Sequence, residues 1–97
     1  MKDNKLLAKY LGIPYFIDED DSGKAWLDHN DQWHPESNWN QLMMVVEKIE
    51  EDKNVVLFDI HGNQTNIYYY WGEDMAIEGD TKIEAVYNAC VKYIKNK

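Results

Sequence analysis

Apolar residues recur every three or four positions in three segments of the chain, and this period predicts three amphipathic helices. The apolar stripes comprise Leu6, Leu7, Tyr10 and Leu11, then Trp39, Leu42, Met43, Val46 and Ile49, and finally Ile83, Val86, Tyr87, Cys90, Val91 and Ile94. Asp3 or Asn4 can cap the start of the first helix, and Asn38 can cap the second. Thr81, with Glu84 three residues later, predicts a capping box for the third.

Five short segments between these helices are rich in β-branched or aromatic residues and predict strands. They cover residues 13–17, 24–28, 55–60, 65–71 and 75–78. Because the connections between neighbouring strands are short, we expect antiparallel pairs. Gly12 and Asn54 suit the left-handed conformation that ends the first two helices, and residues 29–37 predict a loop.

The order of elements is therefore α-β-β-α-β-β-β-α. The segment 65–71 carries aromatic residues at both odd and even positions, which is typical of a strand covered on both faces. Three helices with one apolar stripe each also need sheet faces to cover. We therefore expect an α+β fold, in which an antiparallel sheet of about five strands forms an α/β/α sandwich and residues 1–97 make a single domain.

The charged residues of the chain exclude some classes of binding partner. The chain has 18 acidic residues against ten basic ones, a formal net charge of -8, and all ten basic residues are lysines. Nucleic-acid and phosphate sites rely on arginine and on a basic face, so we expect no nucleic-acid partner. The first residues lead into an amphipathic stretch, and no segment has the ~20 apolar residues that span a bilayer. We therefore expect a cytoplasmic protein with no signal peptide and no membrane partner.

Seven acidic residues lie between the first strand and the second helix: Asp18, Glu19, Asp20, Asp21, Asp28, Asp31 and Glu36. Such a surface can imitate the phosphate field of DNA and bind a basic groove of a protein, or it can simply keep the domain in solution. Residues 18–23 also match the first half of an EF-hand calcium loop. The twelfth position is His29, where a glutamate is needed, so the sequence leaves calcium binding open and favours an acidic turn.

Four residues of one loop have the types that bind zinc: Asp28, His29, Asp31 and His34. Their spacing matches no metal motif, and the alternative without a metal is a polar loop in which His34 forms a hydrogen bond with the backbone. Cys90 lies on an apolar stripe and is typical of a buried thiol. Asp59 on an apolar strand indicates a sheet edge, with a site carboxylate beside His61 as the alternative. We therefore expect no enzyme, no metal and no cofactor.

Three segments share a pattern with one family. They are residues 6–12, residues 33–39 with the Val-Val-Glu-Lys-Ile of 45–49, and residues 81–90. Together they resemble the phage ABA sandwich domain, a family of small phage and prophage proteins. Glu36, Ser37 and Asn38 depart from its usual Pro-Ser-Thr-Asp, and the last helix lacks the family's Pro. The resemblance implies an α/β/α sandwich and a phage or prophage origin. It also implies a structural signature, Trp33, Pro35, Asn38 and Trp39, and it supplies no catalytic residue. Because Trp39 begins the apolar stripe of the second helix, we expect its ring to turn onto the sheet.

The sequence as a whole favours a small phage accessory protein that works as a non-enzymatic interaction module on a host protein. The alternative is a binder of small, nucleotide-type ligands, which would stack on Tyr68, Tyr70, Trp71 or Trp33. Four tryptophans and seven tyrosines are more aromatic residues than one small core needs, a content that also suits a homodimer.

Overall fold

The computed structural model describes residues 3–12, 16–18, 24–27 and 31–96, and for the strands before residue 33 it describes the backbone. The helices are α1 (Asn4–Leu11), α2 (Trp39–Glu50) and α3 (Lys82–Lys95). The strands are β1 (Phe16–Asp18), β2 (Lys24–Leu27), β3 (Asp31–Gln32), β4 (Val55–His61), β5 (Gln64–Tyr69) and β6 (Asp74–Glu78). The predicted α+β class is confirmed.

The described strands form two antiparallel sheets of three strands each, with the orders β1-β2-β3 and β4-β5-β6. The sequence predicts one sheet of about five strands, and the described strands do not confirm this part of the prediction. β1 and β2 pair as the predicted first hairpin. The additional strand, β3, pairs Asp31 with Leu27 inside the predicted loop. A strand of two residues is too short to produce a recognisable alternation of apolar and polar positions.

All three described helices contact one another and share one core with the sheet β4-β5-β6. α2 packs on β4, and α3 packs across the sheet. The covered face includes Phe58, Ile67 and Met75, which are cross-strand neighbours, whereas Leu57 on the opposite face is 50% exposed. The described elements therefore do not confirm the predicted α/β/α sandwich. The helices bury part of their apolar stripes against each other, so they need only one face of the sheet.

The helix ends follow the sequence in three places and depart from it in two. Asp3 stands at the N-cap of α1 without a capping bond from its side chain, and Asn4 is already helical. The Oδ1 of Asn38 accepts a hydrogen bond from the backbone of α2, and the hydroxyl of Thr81 does the same for α3. Gly12 ends α1 with a φ of 73°, in the left-handed region that favours glycine. α2 ends earlier than predicted, since Glu51 closes it in a right-handed conformation and Asn54 lies three residues beyond.

Two tryptophans flank the loop before α2, and only the first lies in the core. Trp33 is 1% exposed, whereas Trp39 is 39% exposed. The predicted core position of Trp39 is therefore wrong, although Leu42 and Ile49 on the same stripe are fully buried. Helical periodicity identifies which side of a helix is buried. It does not tell whether another element extends over the first turn, where Trp39 stands.

Trp33 is held by a buried polar group at the start of α1. Its Nε1 donates to the carbonyl oxygen of Asn4 at 2.6 Å, and the hydroxyl of Tyr87 donates to Asn4 Oδ1 at 2.7 Å. The Nδ2 of Asn4 donates to Glu36 Oε2 at 2.6 Å. We term Asn4, Trp33, Glu36 and Tyr87 the Asn4 network. It joins α1, α3 and the loop before α2, and it satisfies polar groups that would otherwise be costly to bury.

Candidate functional site

A cleft of about 590 Å³ opens at one end of the sheet β4-β5-β6. Three segments meet there: the loop between α2 and β4, the turn between β5 and β6, and the last turn of α3. The cleft is lined by Asp52, Asn54, Tyr69, Trp71, Glu73, Asp74, Met75, Ala76, Lys92, Tyr93 and Asn96. We term it the aromatic cleft. Its volume lies in the range of pockets that hold a small ligand or a side chain of a partner.

The turn between β5 and β6 is built so that Trp71 leaves the sheet. The predicted strand runs to residue 71, but β5 ends at Tyr69, and Gly72 with a φ of 89° turns the chain back. The amide of Gly72 donates to the carbonyl of Tyr69 at 3.1 Å, and the amide of Tyr69 donates to Glu73 at 3.0 Å. Tyr70 donates its amide to the carbonyl of Asn54 at 3.1 Å, which ties the turn to the loop after α2.

Four aromatic side chains form a row that ends in this cleft. The rings of Trp71 and Tyr69 are stacked, with centroids 4.6 Å apart and planes 7° from parallel. Tyr69 lies nearly parallel to Tyr93 at 6.5 Å, and Tyr93 meets Tyr10 edge to face at 6.4 Å. At the inner end of the row, the Nζ of Lys48 lies 5.1 Å from the centroid of the Tyr10 ring. At the outer end, Trp71 is 57% exposed. Since Tyr69 covers one face of the indole, the exposed area is on its other face and its edges.

Carboxylates lie beside the aromatic rings of the cleft. Asp52 accepts a hydrogen bond from the hydroxyl of Tyr93 and another from the backbone of Asn54. Glu73 accepts the indole N–H of Trp71 at 3.1 Å, which fixes the plane of that ring. Asp74 is exposed at the start of β6. With Lys92, the lining holds three carboxylates and one ammonium group, so its net charge is negative.

The helices add to this negative potential. Asp52 follows the C-terminal end of α2, and Tyr93 and Asn96 lie at the C-terminal end of α3. The last carbonyl groups of a helix carry a partial negative charge, which favours cations near that end. Burial and then the charge of Asp52 raise the pKa of Tyr69. Burial first, then the bond to Asp52 and the charge of that carboxylate, raise the pKa of Tyr93 far above its usual value.

The acidic surface predicted between the first strand and the second helix is only partly described. Glu19, Asp20, Asp21 and Asp28 lie outside the described residues. Asp18 and Asp31 lie in β1 and β3, where only the backbone is described. Glu36 belongs to the Asn4 network, so its carboxylate is used inside the protein. The acidic surface, and the calcium site considered within it, therefore stay predictions.

The four residues of the predicted structural signature do not share one environment in the structure. Trp33 and Pro35 are buried and Asn38 caps α2, whereas Trp39 is largely outside the core. For His34 of the same loop, the sequence predicts a hydrogen bond to the backbone. In the structure, its Nδ1 contacts a side chain, the hydroxyl of Ser37, at 2.8 Å. Asp28 and His29, the other zinc candidates beside Asp31, lie outside the described residues.

Cys90 is fully buried, as the sequence predicts, and burial raises the pKa of its thiol far above the usual value. Among the described strands, β4 lies at an edge of its sheet, which agrees with the edge predicted from Asp59. Asp59 pairs with Asn66 across the uncovered face. Val56 and Leu57 of the same strand are exposed, and the homodimer that the aromatic content suits stays a prediction.

The sequence indicates Trp71 as a stacking residue but does not indicate the cleft. The available signal was the position of Trp71 directly before Gly72, since a glycine turn allows an aromatic residue to leave the strand. The contributions of Asp52 and Tyr93 had no local signal, because they come from other elements that only the tertiary structure brings together.

Comparison with known protein families, with curated proteins and with solved structures gives no match to this chain. The resemblance to the phage ABA sandwich family therefore stays a prediction. Within the described residues, none of the helices has the length and apolar character that crossing a membrane requires.

Proposed function

We propose that this chain is a non-enzymatic interaction module that binds a segment of a partner protein in the aromatic cleft. In keeping with the sequence resemblance, we further propose that it is a small phage or prophage accessory protein and that its partner is a host protein. The cleft, rather than the acidic residues between 18 and 36, is the proposed binding site. All of the lining residues of the cleft lie in the described part of the chain, and they come from three segments that surround one opening.

The observation that carries the proposal is the state of Trp71. Its ring is stacked on Tyr69 and bonded to Glu73, yet 57% of the residue is exposed beside the cleft. Tryptophan is enriched at the centres of protein interfaces, where a fixed ring gains affinity because little side-chain entropy is lost on binding. An exposed ring that is already ordered is therefore suited to act as an anchor.

The test is selection of displayed random peptides on the full chain, followed by affinity measurements on variants. The proposal expects selected peptides whose affinity falls at least about tenfold with Trp71→Ala, the loss of roughly 1.4 kcal/mol that an anchor residue supplies. Tyr70→Ala is the matched control, since Tyr70 is 72% exposed in the same turn but does not line the cleft. Selected peptides that bind both variants like the parent chain, or no selected peptides, would overturn the proposal.

The alternative function is sequestration of a nucleotide-type ligand by stacking on Trp71. The exposed, ordered indole favours it, and the burial of Trp33 removes that residue from the predicted stacking set. The three carboxylates of the cleft oppose it, because they repel phosphate. A titration with adenosine and with adenosine monophosphate, followed by fluorescence, tests this function. Saturable binding of the monophosphate that Trp71→Ala abolishes would favour it over the interaction module.

A further inference from the structure

The row of aromatic rings in this protein already binds a cation at one end. The ammonium group of Lys48 lies 5.1 Å from the centroid of Tyr10, within the distance at which a ring attracts a cation. Three more rings continue the row through Tyr93 and Tyr69 to Trp71. In the part of the chain that the structure describes, no lysine lies over the Trp71 ring, although indole is the strongest of the aromatic cation acceptors.

The surroundings of Trp71 carry negative charge at the same end of the molecule. Glu73 is bonded to the edge of the indole, Asp74 follows it at the start of β6, and Asp52 stands across the cleft. The C-terminal ends of α2 and α3 also lie beside this region, and a helix carries partial negative charge at that end. The Nζ of Lys95, a basic residue in the last turn of α3, is bonded to Asp3 at 3.4 Å, away from the cleft lining.

We infer that the aromatic cleft binds a lysine or arginine side chain of the partner segment, with the cation over the outer face of Trp71 and Glu73 and Asp74 as its counter-ions. This inference rests on the proposed function and names the chemistry that the site selects. The charge complementarity is direct, because a net negative lining meets a positive side chain. An aliphatic stem would contact the rings while the charged head reaches the carboxylates. An arginine adds a planar group that stacks on indole and donates to a carboxylate through two N–H groups.

The experiment follows the indole N–H resonance of Trp71 in the full chain by NMR. Three short, blocked Gly-Ser peptides serve as probes, and they carry a central arginine, a central lysine or a central citrulline. Citrulline matches arginine in shape and lacks its charge. The inference expects a saturable shift with the arginine and lysine peptides and at least about tenfold weaker binding of the citrulline peptide, since charge-assisted hydrogen bonds are the stronger ones. The shift should shrink when salt is raised, because exposed charges are screened.

Two variants test whether Glu73 and Asp74 are the groups that bind the cation. Glu73→Gln with Asp74→Asn should weaken binding of the arginine peptide about tenfold or more, because both counter-ions are lost. Glu78→Gln is the matched control, since Glu78 is exposed on the same strand at its far end and does not line the cleft. It should leave the affinity within about twofold, as expected for a distant, screened charge.

The outcomes separate this inference from the function on which it rests. Equal shifts with arginine and citrulline peptides, or no shift with any of them, would overturn the cation site. If displayed peptides selected on the chain still depend on Trp71 in that case, the interaction module stands with another chemistry. If no selected peptide depends on Trp71, the module itself is overturned.

Discussion

Two aromatic clusters of this protein combine rings with polar groups, and they differ in what covers them. The Asn4 network encloses Trp33, and its polar atoms bond one another. The cluster at the aromatic cleft orders Trp71 just as specifically, by stacking and by a bond to Glu73, but leaves it 57% exposed. An ordered ring with a polar partner therefore does not by itself distinguish a structural role from a binding role, whereas coverage by a second layer does.

The largest expected effect is the loss of the enclosed tryptophan. Trp33→Ala should lower the free energy of unfolding by about 3–5 kcal/mol, because it leaves a cavity in the core and removes a buried hydrogen bond. Trp71→Ala should change it by less than about 1 kcal/mol, since much of that residue is in solvent already. Chemical denaturation of both variants measures the difference. Similar losses for the two would contradict the division into a closed and an open cluster.

The next effect concerns the polar centre of the Asn4 network. Asn4→Ala should cost about 1–3 kcal/mol, because the hydroxyl of Tyr87 and the carboxylate of Glu36 both lose a partner. Asn54→Ala is the matched change in the open cluster. Asn54 is exposed, and its removal should cost less than about 0.5 kcal/mol, as is usual on the surface. Thermal melts of the two variants would contradict the comparison if Asn54→Ala were the more damaging one.

High pH should weaken the closed cluster through Tyr87. Burial first, and then the charges of Asp3 and Glu36, raise the pKa of this phenol well above its usual value. The unfolded chain loses the proton near pH 10, whereas the folded chain keeps it. Stability should therefore be constant below pH ~10 with respect to this group and fall above it, by at most about 1.4 kcal/mol per pH unit for one tyrosine.

Denaturant titrations at several pH values between ~9 and ~11 bracket the ordinary tyrosine pKa and measure this fall. Tyr87→Phe is the control, because it removes the ionising hydroxyl and keeps the ring. It should make the decline shallower while lowering stability at neutral pH, where Asn4 loses a hydrogen-bond donor. An unchanged decline in the Phe variant would show that other groups cause it.

The smallest expected effect is a gain in stability. Thr65 of β5 is fully buried, and its Oγ1 has no hydrogen-bond partner among the described residues, in contrast to the satisfied atoms of the Asn4 network. Thr65→Val keeps the shape and removes the hydroxyl, so it should raise the free energy of unfolding by about 1 kcal/mol. Thr81→Val is the control, and it should lower stability by about 0.5–2 kcal/mol because the cap of α3 is lost. A destabilised Thr65→Val would mean that the hydroxyl is bonded after all.

The candidate site was much harder to predict than the elements that form it. The sequence pointed to Trp71 as a stacking residue, but it gave no indication that Tyr93 and Asp52 would stand beside it. Those residues are 19 or more positions from Trp71 in the sequence, and side chains of α3 and of the loop after α2 reach the same point only after the helices pack on the sheet. The acidic run of residues 18–21 is conspicuous in the sequence, yet among the described residues the negative cleft lies elsewhere.

The features that the sequence predicts correctly are local ones. Periodicity placed α1, α2 and α3, the side chains of Asn38 and Thr81 capped two of them, and the apolar position of Cys90 made it a buried thiol. Each of these depends on residues within about one or two helical turns of each other. Which surfaces are covered depends instead on the tertiary structure.

It decided that the helices lie together on one face of β4-β5-β6, that Trp33 rather than Trp39 enters the core, and that Trp71 stays open. The physical reason is that burial is a property of contacts between distant segments. An apolar stripe or an aromatic residue in the sequence indicates a surface that needs to be buried. The packing of the whole chain determines which element buries it.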